Sequence, residues 1–282
     1  MTRLSPRRLT LAALFGLALP AMAAPSYYGF GFPHIIALEH NPALYTSQYA
    51  LAAYDTPVRA KSNGEFLSRF IWQDMSFANV ISGGLAAGNF WPANDTREYL
   101  MMFRRYGQAL SGEVYQAPGV YSQRGWDLQS SWLFGTAPAG GSNDIVCVTA
   151  GDVLSSYSGD ELIVVQSLSD SYRSAPRHQL LVYSRPSATN QNNWILRGTS
   201  ATLPEPGMEV IGMAAGDFAW AGRAWLAIMY RSGAGKIVRY YDLAGFPAFT
   251  AKGQDATPFD TLAEFSLACG DYTKEYGREG QK

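Results

Sequence analysis

The stretch Ile145-Val146-Cys147-Val148-Thr149-Ala150-Gly151-Asp152 decides the fold, because its last four residues belong to a phrase that recurs along the chain. The phrase is a pair of small residues followed by Gly-Asp or Gly-Asn. Its four copies are Ala86-Ala87-Gly88-Asn89, Thr149-Ala150-Gly151-Asp152, Ala214-Ala215-Gly216-Asp217 and Ala268-Cys269-Gly270-Asp271. The glycines lie 63, 65 and 54 residues apart. A repeat of this length indicates an array of similar supersecondary units.

Each unit has the pattern of a small antiparallel sheet. The best preserved unit contains four short apolar runs, at residues 145–148, 162–165, 180–183 and 194–197. Gly, Asn, Ser or Pro residues separate the runs, and no segment has the periodicity of an amphipathic helix. We therefore predict an all-β fold, a β-propeller of about four or five four-stranded antiparallel blades.

The repeats are predicted near residues 35–79, 80–144, 145–209 and 210–264, with a partial copy at 265–282. In the first repeat Ile35–Leu38 is the predicted first strand, and Glu39-His40 stand where Gly-Asp would be. The chain ends at Lys282, where another apolar strand is due. Three alternatives stay open: an incomplete ring from a longer propeller, a final strand that completes a blade opened near the N-terminus, and a truncated repeat protein without independent function.

Residues 1–23 have the pattern of a secretory signal peptide. Three arginines precede the apolar stretch Leu9–Leu19, and the small-x-small sequence Ala21-Met22-Ala23 follows it. The apolar stretch is shorter than the roughly 20 residues that span a bilayer. We therefore predict an exported protein, located in the periplasm, at the cell surface or outside the cell, with no membrane span in the mature chain 24–282.

The composition restricts the partners and the cysteine chemistry. The formal net charge is −1, so no basic field attracts nucleic acid. Cys147 and Cys269 belong to repeats two units apart and occupy different steps of their strands. A disulfide needs a Cα separation below about 7 Å. We therefore predict two buried free thiols.

The phrase followed by an aromatic residue, a loop and an apolar strand resembles the FG-GAP/VCBS repeat family, whose propeller units also occur in integrin α subunits and in exported bacterial proteins. The resemblance is clearest at Gly151-Asp152, Gly216-Asp217-Phe218 and Gly270-Asp271-Tyr272, and it extends from about Ile35 to the end. It implies a propeller whose loops after Gly-Asp often bind calcium.

The calcium frame of that family is degenerate here. With the Asp of the phrase counted as position 1, the family's further ligands fall at positions 3, 5 and 9. In the unit at residues 145–209, Asp152 and Asp160 fit positions 1 and 9, but Leu154 and Ser156 occupy positions 3 and 5. In the next unit Trp225 stands at position 9. Calcium requires six to eight oxygen ligands. We therefore predict no cofactor, with calcium at Asp152 and Asp160 as the alternative.

The residues offer little catalytic chemistry. The three histidines, His34, His40 and His178, lack the spacing of a metal site, and no serine has the Gly-x-Ser-x-Gly signature. Asp160-Glu161 could form an acid–base pair with a neighbouring carboxylate. Adjacent strand residues point to opposite faces, so turn formation plus a solvated edge is the simpler interpretation.

Loop tryptophans are the candidate ligand-binding residues. Trp91, Trp126 and Trp220 lie in predicted loops, where exposed aromatic rings stack on sugars or contact proteins. We therefore predict an exported, non-catalytic binding or adhesion module that recognises a protein or carbohydrate ligand through loops on one propeller face. The alternative is a secreted or periplasmic propeller enzyme that acts on polysaccharide.

Overall fold

The structure is a computed structural model. It describes residues 34–41, 48–55, 69–78, 82–90, 99–116, 127–136, 144–168, 177–185, 194–200, 202–203, 208–218, 222–232, 235–248 and 250–256. The predicted signal peptide, Cys269 and the partial repeat at 265–282 lie outside these residues.

Fifteen strands form four antiparallel sheets, named here sheets I to IV. Sheet I contains β1 (His34–Asn41), β2 (Gln48–Asp55) and β3 (Arg69–Ala78). Sheet II contains β4 (Ser82–Gly88), β5 (Tyr99–Tyr106), β6 (Ala109–Gln116) and β7 (Asp127–Thr136). Sheet III contains β8 (Ile145–Gly151), β9 (Glu161–Ser167), β10 (His178–Ser184) and β11 (Ile195–Thr199). Sheet IV contains β12 (Glu209–Gly216), β13 (Trp225–Ser232), β14 (Gly235–Asp242) and β15 (Thr250–Ala256).

In every sheet each strand pairs with the next strand in sequence. The predicted all-β class and the four-stranded antiparallel sheets are therefore confirmed, the latter for sheets II to IV. Over the described ranges the chain forms no helix, and so none that could cross a membrane. The same ranges show no closed ring of sheets.

The recurring glycine occupies one structural position in sheets II, III and IV. It is the last residue of the first strand, and it pairs with the first residue of the second strand, as Gly88↔Tyr99, Gly151↔Glu161 and Gly216↔Trp225. The sequence repeat is thus a repeat of strand register. We call the end of the sheets that carries these glycines the glycine end.

The first strands of sheets II, III and IV lie side by side, in the order β4, β8, β12. Two apolar cores fill the space between the sheets, one between sheets II and III and one between sheets III and IV. Strand β9 contributes to both cores: Leu162 and Val164 face the first, whereas Ile163 and Val165 face the second. Burial on both faces explains why this strand is a continuous apolar run rather than an alternating one.

Sheet I matches the last three strands of sheet II. The strands β1, β2 and β3 have 8, 8 and 10 residues, as do β5, β6 and β7. Both sheets shift register after the second and the sixth residue of their middle strand. The predicted strand Ile35–Leu38 lies within β1, which pairs with β2. Glu39-His40 lies at the end of β1 that leads into the connection to β2.

Candidate functional site

The glycine end is where most of the longer connections of sheets II to IV begin and end. In sheet II the residues Gly88, Tyr99, Gln116 and Asp127 are paired in series across the sheet. The strand ends that bound residues 89–98 and 117–126 therefore lie at this end, as do those that bound 152–160, 185–194, 217–224 and 243–249. By contrast, β5 and β6 are joined at the opposite end by only two residues. Loops held by a rigid scaffold are the usual location of binding sites.

The recurring glycine permits a close approach between neighbouring sheets. A Cβ added at Gly88 would lie 2.9 Å from the Cβ of Ala150, and one added at Gly151 would lie 2.7 Å from the Cβ of Ala215. Neither glycine has a positive φ, so the close approach is the feature that requires glycine here. At both positions, only a residue without a side chain fits against the neighbouring first strand.

The same backbone hydrogen bond joins successive sheets at the glycine end. The N–H of Asp160 in sheet III donates to the carbonyl of Asn89 in sheet II, at 3.0 Å. The N–H of Ala224 in sheet IV donates to the carbonyl of Asp152 in sheet III, at 2.9 Å. Ala224 is thus the structural counterpart of Asp160. The sequence frame placed Trp225 at that position because the loop of sheet IV is one residue shorter.

The carboxylate of Asp160 makes a second link between sheets II and III. Its Oδ2 accepts a hydrogen bond from the N–H of Asn89 at 2.7 Å. Its pKa is raised to about 6, mainly by burial and to a smaller extent by the negative charge of Asp152, while the hydrogen bond from the Asn89 amide opposes the rise. Asp160 therefore serves first as a cross-sheet acceptor.

Glu161 points away from Asp160 and is fully buried, with 0% of its surface exposed. Its Oε2 accepts hydrogen bonds from the N–H groups of Val153 and Leu154, at 2.9 and 3.0 Å. Its Oε1 has no hydrogen-bond partner among the described residues. Burial raises the pKa of Glu161 to about 8. The expectation of opposite faces and turn formation is confirmed, but the solvated edge is wrong because Glu161 is enclosed by its own loop and the second core.

The two predicted calcium ligands have different surroundings. Asp152 is exposed, although partial burial raises its pKa, whereas Asp160 is held by backbone amides. Across the described ranges, no group of three or more His, Cys, Asp or Glu residues is arranged to hold a metal ion. In sheet IV the side chain of Asp217 accepts a hydrogen bond from the N–H of Gly222 at 2.8 Å, and this bond stabilises the turn that follows the phrase.

Sheet IV carries a charged cluster at the glycine end that the sequence analysis did not identify. The carboxylate of Asp242, the last residue of β14, forms ion pairs with Arg223 and Lys252. The N–H of Ala244 donates to its Oδ1 at 3.0 Å, and this bond is the main reason that its pKa is lowered. Arg223 follows the phrase by six residues and Lys252 lies on the edge strand, so no local motif marks the cluster.

The predicted ligand-binding residues Trp91, Trp126 and Trp220 lie outside the described residues. The strands before and after each of the three connections are described, and the strand ends that bound the connections lie at the glycine end. The glycine end also contains Tyr157, whose ring centroid lies 3.8 Å from the guanidinium carbon of Arg197. A cation over an aromatic face is a favourable contact.

The other candidate groups are structural in the part of the chain that is described. Cys147 is a free thiol, and burial raises its pKa to about 12. His178 is buried in the half of sheet III away from the glycine end. Its Nε2 accepts a hydrogen bond from the N–H of Val210 in sheet IV at 3.4 Å. Burial lowers the pKa of His178, opposed by the charge of Glu209.

The described residues form an all-β protein whose four-stranded sheets II, III and IV pack through their first strands. No protein-family model, no curated protein and no solved structure matches the chain.

Proposed function

We propose that the chain is an exported, non-catalytic binding or adhesion module, a β-propeller of the FG-GAP/VCBS type that recognises a protein or carbohydrate ligand through its glycine-end loops. The observation that carries this proposal is the common end of the sheets. Three equivalent loops begin at Gly88, Gly151 and Gly216, and the strands that precede them lie side by side.

The cores between the sheets support the rigidity that such a surface requires. Met101, Phe103 and Val114 of sheet II are completely buried against sheet III, and Leu226 and Ile228 of sheet IV are completely buried on its other side. Each fully buried side chain of this size contributes roughly 1.5–3 kcal/mol. Loops mounted on such a scaffold keep fixed relative positions, which reduces the entropy lost on binding.

The acidic residues argue against the polysaccharide-degrading enzyme. Hydrolysis of a glycosidic bond normally uses two carboxyl groups that flank the substrate. Glu161 is enclosed and bonded to Val153 and Leu154, and Asp160 bonds to Asn89. The hydrogen bonds of Glu161 hold its own loop, and the hydrogen bond of Asp160 links sheet III to sheet II.

Aromatic and charged residues at the glycine end suit multi-contact recognition. Trp91, Trp126 and Trp220 belong to connections whose flanking strands end there, and Arg223 adds a partly exposed guanidinium. Aromatic rings stack on sugar faces and also anchor protein interfaces. The loops therefore combine the residue types that both ligand classes use.

The proposal is tested with the full chain on an array of immobilised polysaccharide fragments. Simultaneous Trp91→Ala, Trp126→Ala and Trp220→Ala replacement should weaken binding at least about tenfold, which corresponds to about 1.4 kcal/mol. Tyr106→Ala is the matched control, because Tyr106 is 50% exposed at the opposite end of sheet II.

Binding that survives the triple replacement, or that Tyr106→Ala removes equally, would contradict the glycine-end assignment. Release of sugar from the arrayed fragments would instead support the enzyme. Failure of all fragments to bind would reject the carbohydrate form of the proposal.

A further inference from the structure

Every sheet has a β-bulge at the same place in its last strand. The first two residues of that strand pair with the last two residues of the preceding strand, the third residue has no partner, and pairing resumes at the fourth. The unpaired third residues are Ile71, Gln129, Arg197 and Lys252. A bulge bends its strand and redirects the side chain of the extra residue. In sheets II, III and IV this position lies close to the glycine end.

In sheet III the bulge residue is Arg197, and its guanidinium is held from two sides. Its Nε donates a hydrogen bond at 2.5 Å to the Oγ of Ser184, the last residue of β10. Its guanidinium carbon lies 3.8 Å from the ring centroid of Tyr157, in the loop that follows the first strand. An arginine stacked and bonded in this way presents its remaining N–H groups in a fixed direction.

In sheet IV the bulge residue is Lys252, and its contacts are equivalent to those of Arg197. It forms an ion pair at 3.4 Å with Asp242, the last residue of β14, and its Nζ lies 5.6 Å from the ring centroid of Trp225. Asp242 also pairs with Arg223. Sheet IV therefore contains its own carboxylate beside the bulge cation.

Sheet III lacks that carboxylate, because the residue equivalent to Asp242 is the uncharged Ser184. Among the described residues, no carboxylate forms an ion pair with Arg197. The four N–H groups on its two Nη atoms match the geometry of a carboxylate. The comparison of the two sheets thus indicates the chemical group that would complete the site in sheet III.

We propose that Arg197 binds a carboxylate of the ligand, and that this ligand is an extended peptide with an acidic side chain that lies along β11. The inference rests on the proposed binding function and restricts it to one ligand class. Exchange of Ser184 for a carboxylate would close the site from within, as Asp242 does in sheet IV.

The residues beside Arg197 favour a peptide over an acidic sugar. Ile195 and Leu196 are 37% and 46% exposed, and both are aliphatic. Sugars stack on aromatic faces, whereas one face of the nearby Tyr157 ring is covered by Arg197. In the described sheet order, β11 is an edge strand with β10 as its neighbour, and an edge strand offers N–H and C=O groups to an extended peptide.

The test uses the full chain on an array of hexapeptides made of Val, Thr and Glu, each printed a second time with every Glu replaced by Gln. Hydrogen bonds to a charged group are stronger than those between neutral groups, so bound Glu peptides should bind at least about fivefold more tightly than their Gln forms. Arg197→Gln should abolish this preference. Leu196→Ser should weaken the Glu and Gln forms alike.

Arg231→Gln is the matched control for the loss of one positive charge. Arg231 is also partly exposed, but it pairs with Glu209 at the opposite end of sheet IV. This variant should keep the Glu preference. A preference that survives in Arg197→Gln, or that Arg231→Gln removes equally, would overturn the proposal.

Two further outcomes would also overturn it. One is that no peptide on the array binds. The other is that an oligogalacturonate binds through Arg197 while the peptides do not, which would assign the site to an acidic sugar. A failure of the glycine-end assignment is distinguishable, because it would appear as binding that survives the triple tryptophan replacement described above.

The unmodified chain provides a measurement that does not depend on a variant folding. A bound Glu peptide should protect Arg197 from phenylglyoxal, a reagent that modifies guanidinium groups, while Arg231 is modified equally with and without the peptide. Mass spectrometry of proteolytic fragments measures both sites. Equal modification of Arg197 in the presence and absence of the peptide would overturn the proposal.

Discussion

The junction between sheets II and III and the junction between sheets III and IV are built on one backbone plan with different side chains. In both, a glycine lies against an alanine of the next first strand, and a backbone N–H crosses to the carbonyl after that glycine. At the first junction Asp160 adds a carboxylate that accepts the N–H of Asn89. At the second junction Ala224 takes the place of Asp160, and the methyl group of Ala224 lies 3.2 Å from a Cβ added at Gly151.

The difference separates what the repeat requires from what one junction adds. The close approach and the backbone hydrogen bond are common to both, so they define the way the sheets pack. The carboxylate is specific to the II–III junction, where burial raises its pKa. Changes to the shared features should therefore cost more than changes to Asp160, and changes to exposed loop side chains should cost least.

The largest effect is expected from Gly151→Ala. The new Cβ would lie 2.7 Å from the Cβ of Ala215, closer than side-chain carbons approach, so the two strands must separate. Overpacking of this kind costs roughly 1–3 kcal/mol. Urea unfolding should show a loss of about 2 kcal/mol. Gly245→Ala is the control, because a Cβ there meets nothing within 4 Å, and an equal loss in both variants would contradict the account.

A smaller loss is expected from Asp160→Ala. The substitution leaves the N–H of Asn89 without its 2.7 Å side-chain acceptor but keeps the backbone hydrogen bond that the Ala224 junction also has. Removal of a buried charge offsets part of this loss, so we expect about 1 kcal/mol in urea unfolding at pH 7. A loss larger than that of Gly151→Ala would mean that the carboxylate, rather than the close approach, dominates the junction.

The main effect of Glu161→Gln should be a weaker dependence of stability on pH. The pKa of Glu161 is raised from 4.5 to about 8 in the fold, so its contribution is fully present below pH 4.5 and is lost as the pH rises through 8. Asp160 acts in the same direction up to about pH 6. Melting temperatures from pH 5 to 8.5 should fall less steeply in the variant. Parallel curves for the two proteins would show that Glu161 does not titrate across this range.

His178 should reduce the stability of the fold as the pH falls, the opposite dependence to that of Glu161. Its pKa is lowered in the fold, so its contribution is present above the ordinary value of 6.5 and is lost as the pH falls below it. His178→Gln should therefore make the unfolding free energy less sensitive to acidification from pH 6.5 to 5. An unchanged acid slope in urea unfolding would contradict the burial of a neutral imidazole at Val210.

The smallest effect is expected from Asp217→Ala. Its side chain is exposed and accepts one hydrogen bond, from the N–H of Gly222. Exposed substitutions usually change stability by at most about 0.5 kcal/mol. Thermal unfolding should be nearly unchanged, and a loss comparable with that of Asp160→Ala would show that the turn, as well as the packing, holds the III–IV junction.

The sequence predicted the repeating strands well because the phrase marks a fixed register. Gly88, Gly151 and Gly216 each end a first strand, and the apolar run 162–165 is a strand buried on both faces. It did not predict that Glu161 is enclosed, because a carboxylate beside a loop resembles a surface residue until its amide donors are known. It did not predict the register shifts between β2 and β3, because an apolar run carries no mark of a bulge.

The double-mutant cycle of Gly151→Ala with Ala215→Gly tests the central claim, the close approach of first strands, most directly. The Cβ of Ala215 is the nearest atom to the added methyl group, at 2.7 Å, so its removal should relieve the clash. We expect Ala215→Gly alone to reduce stability but, combined with Gly151→Ala, to restore at least half of the stability that Gly151→Ala loses, a coupling of about 1 kcal/mol. Additive losses in urea unfolding would contradict it, because the two residues would then not be in contact.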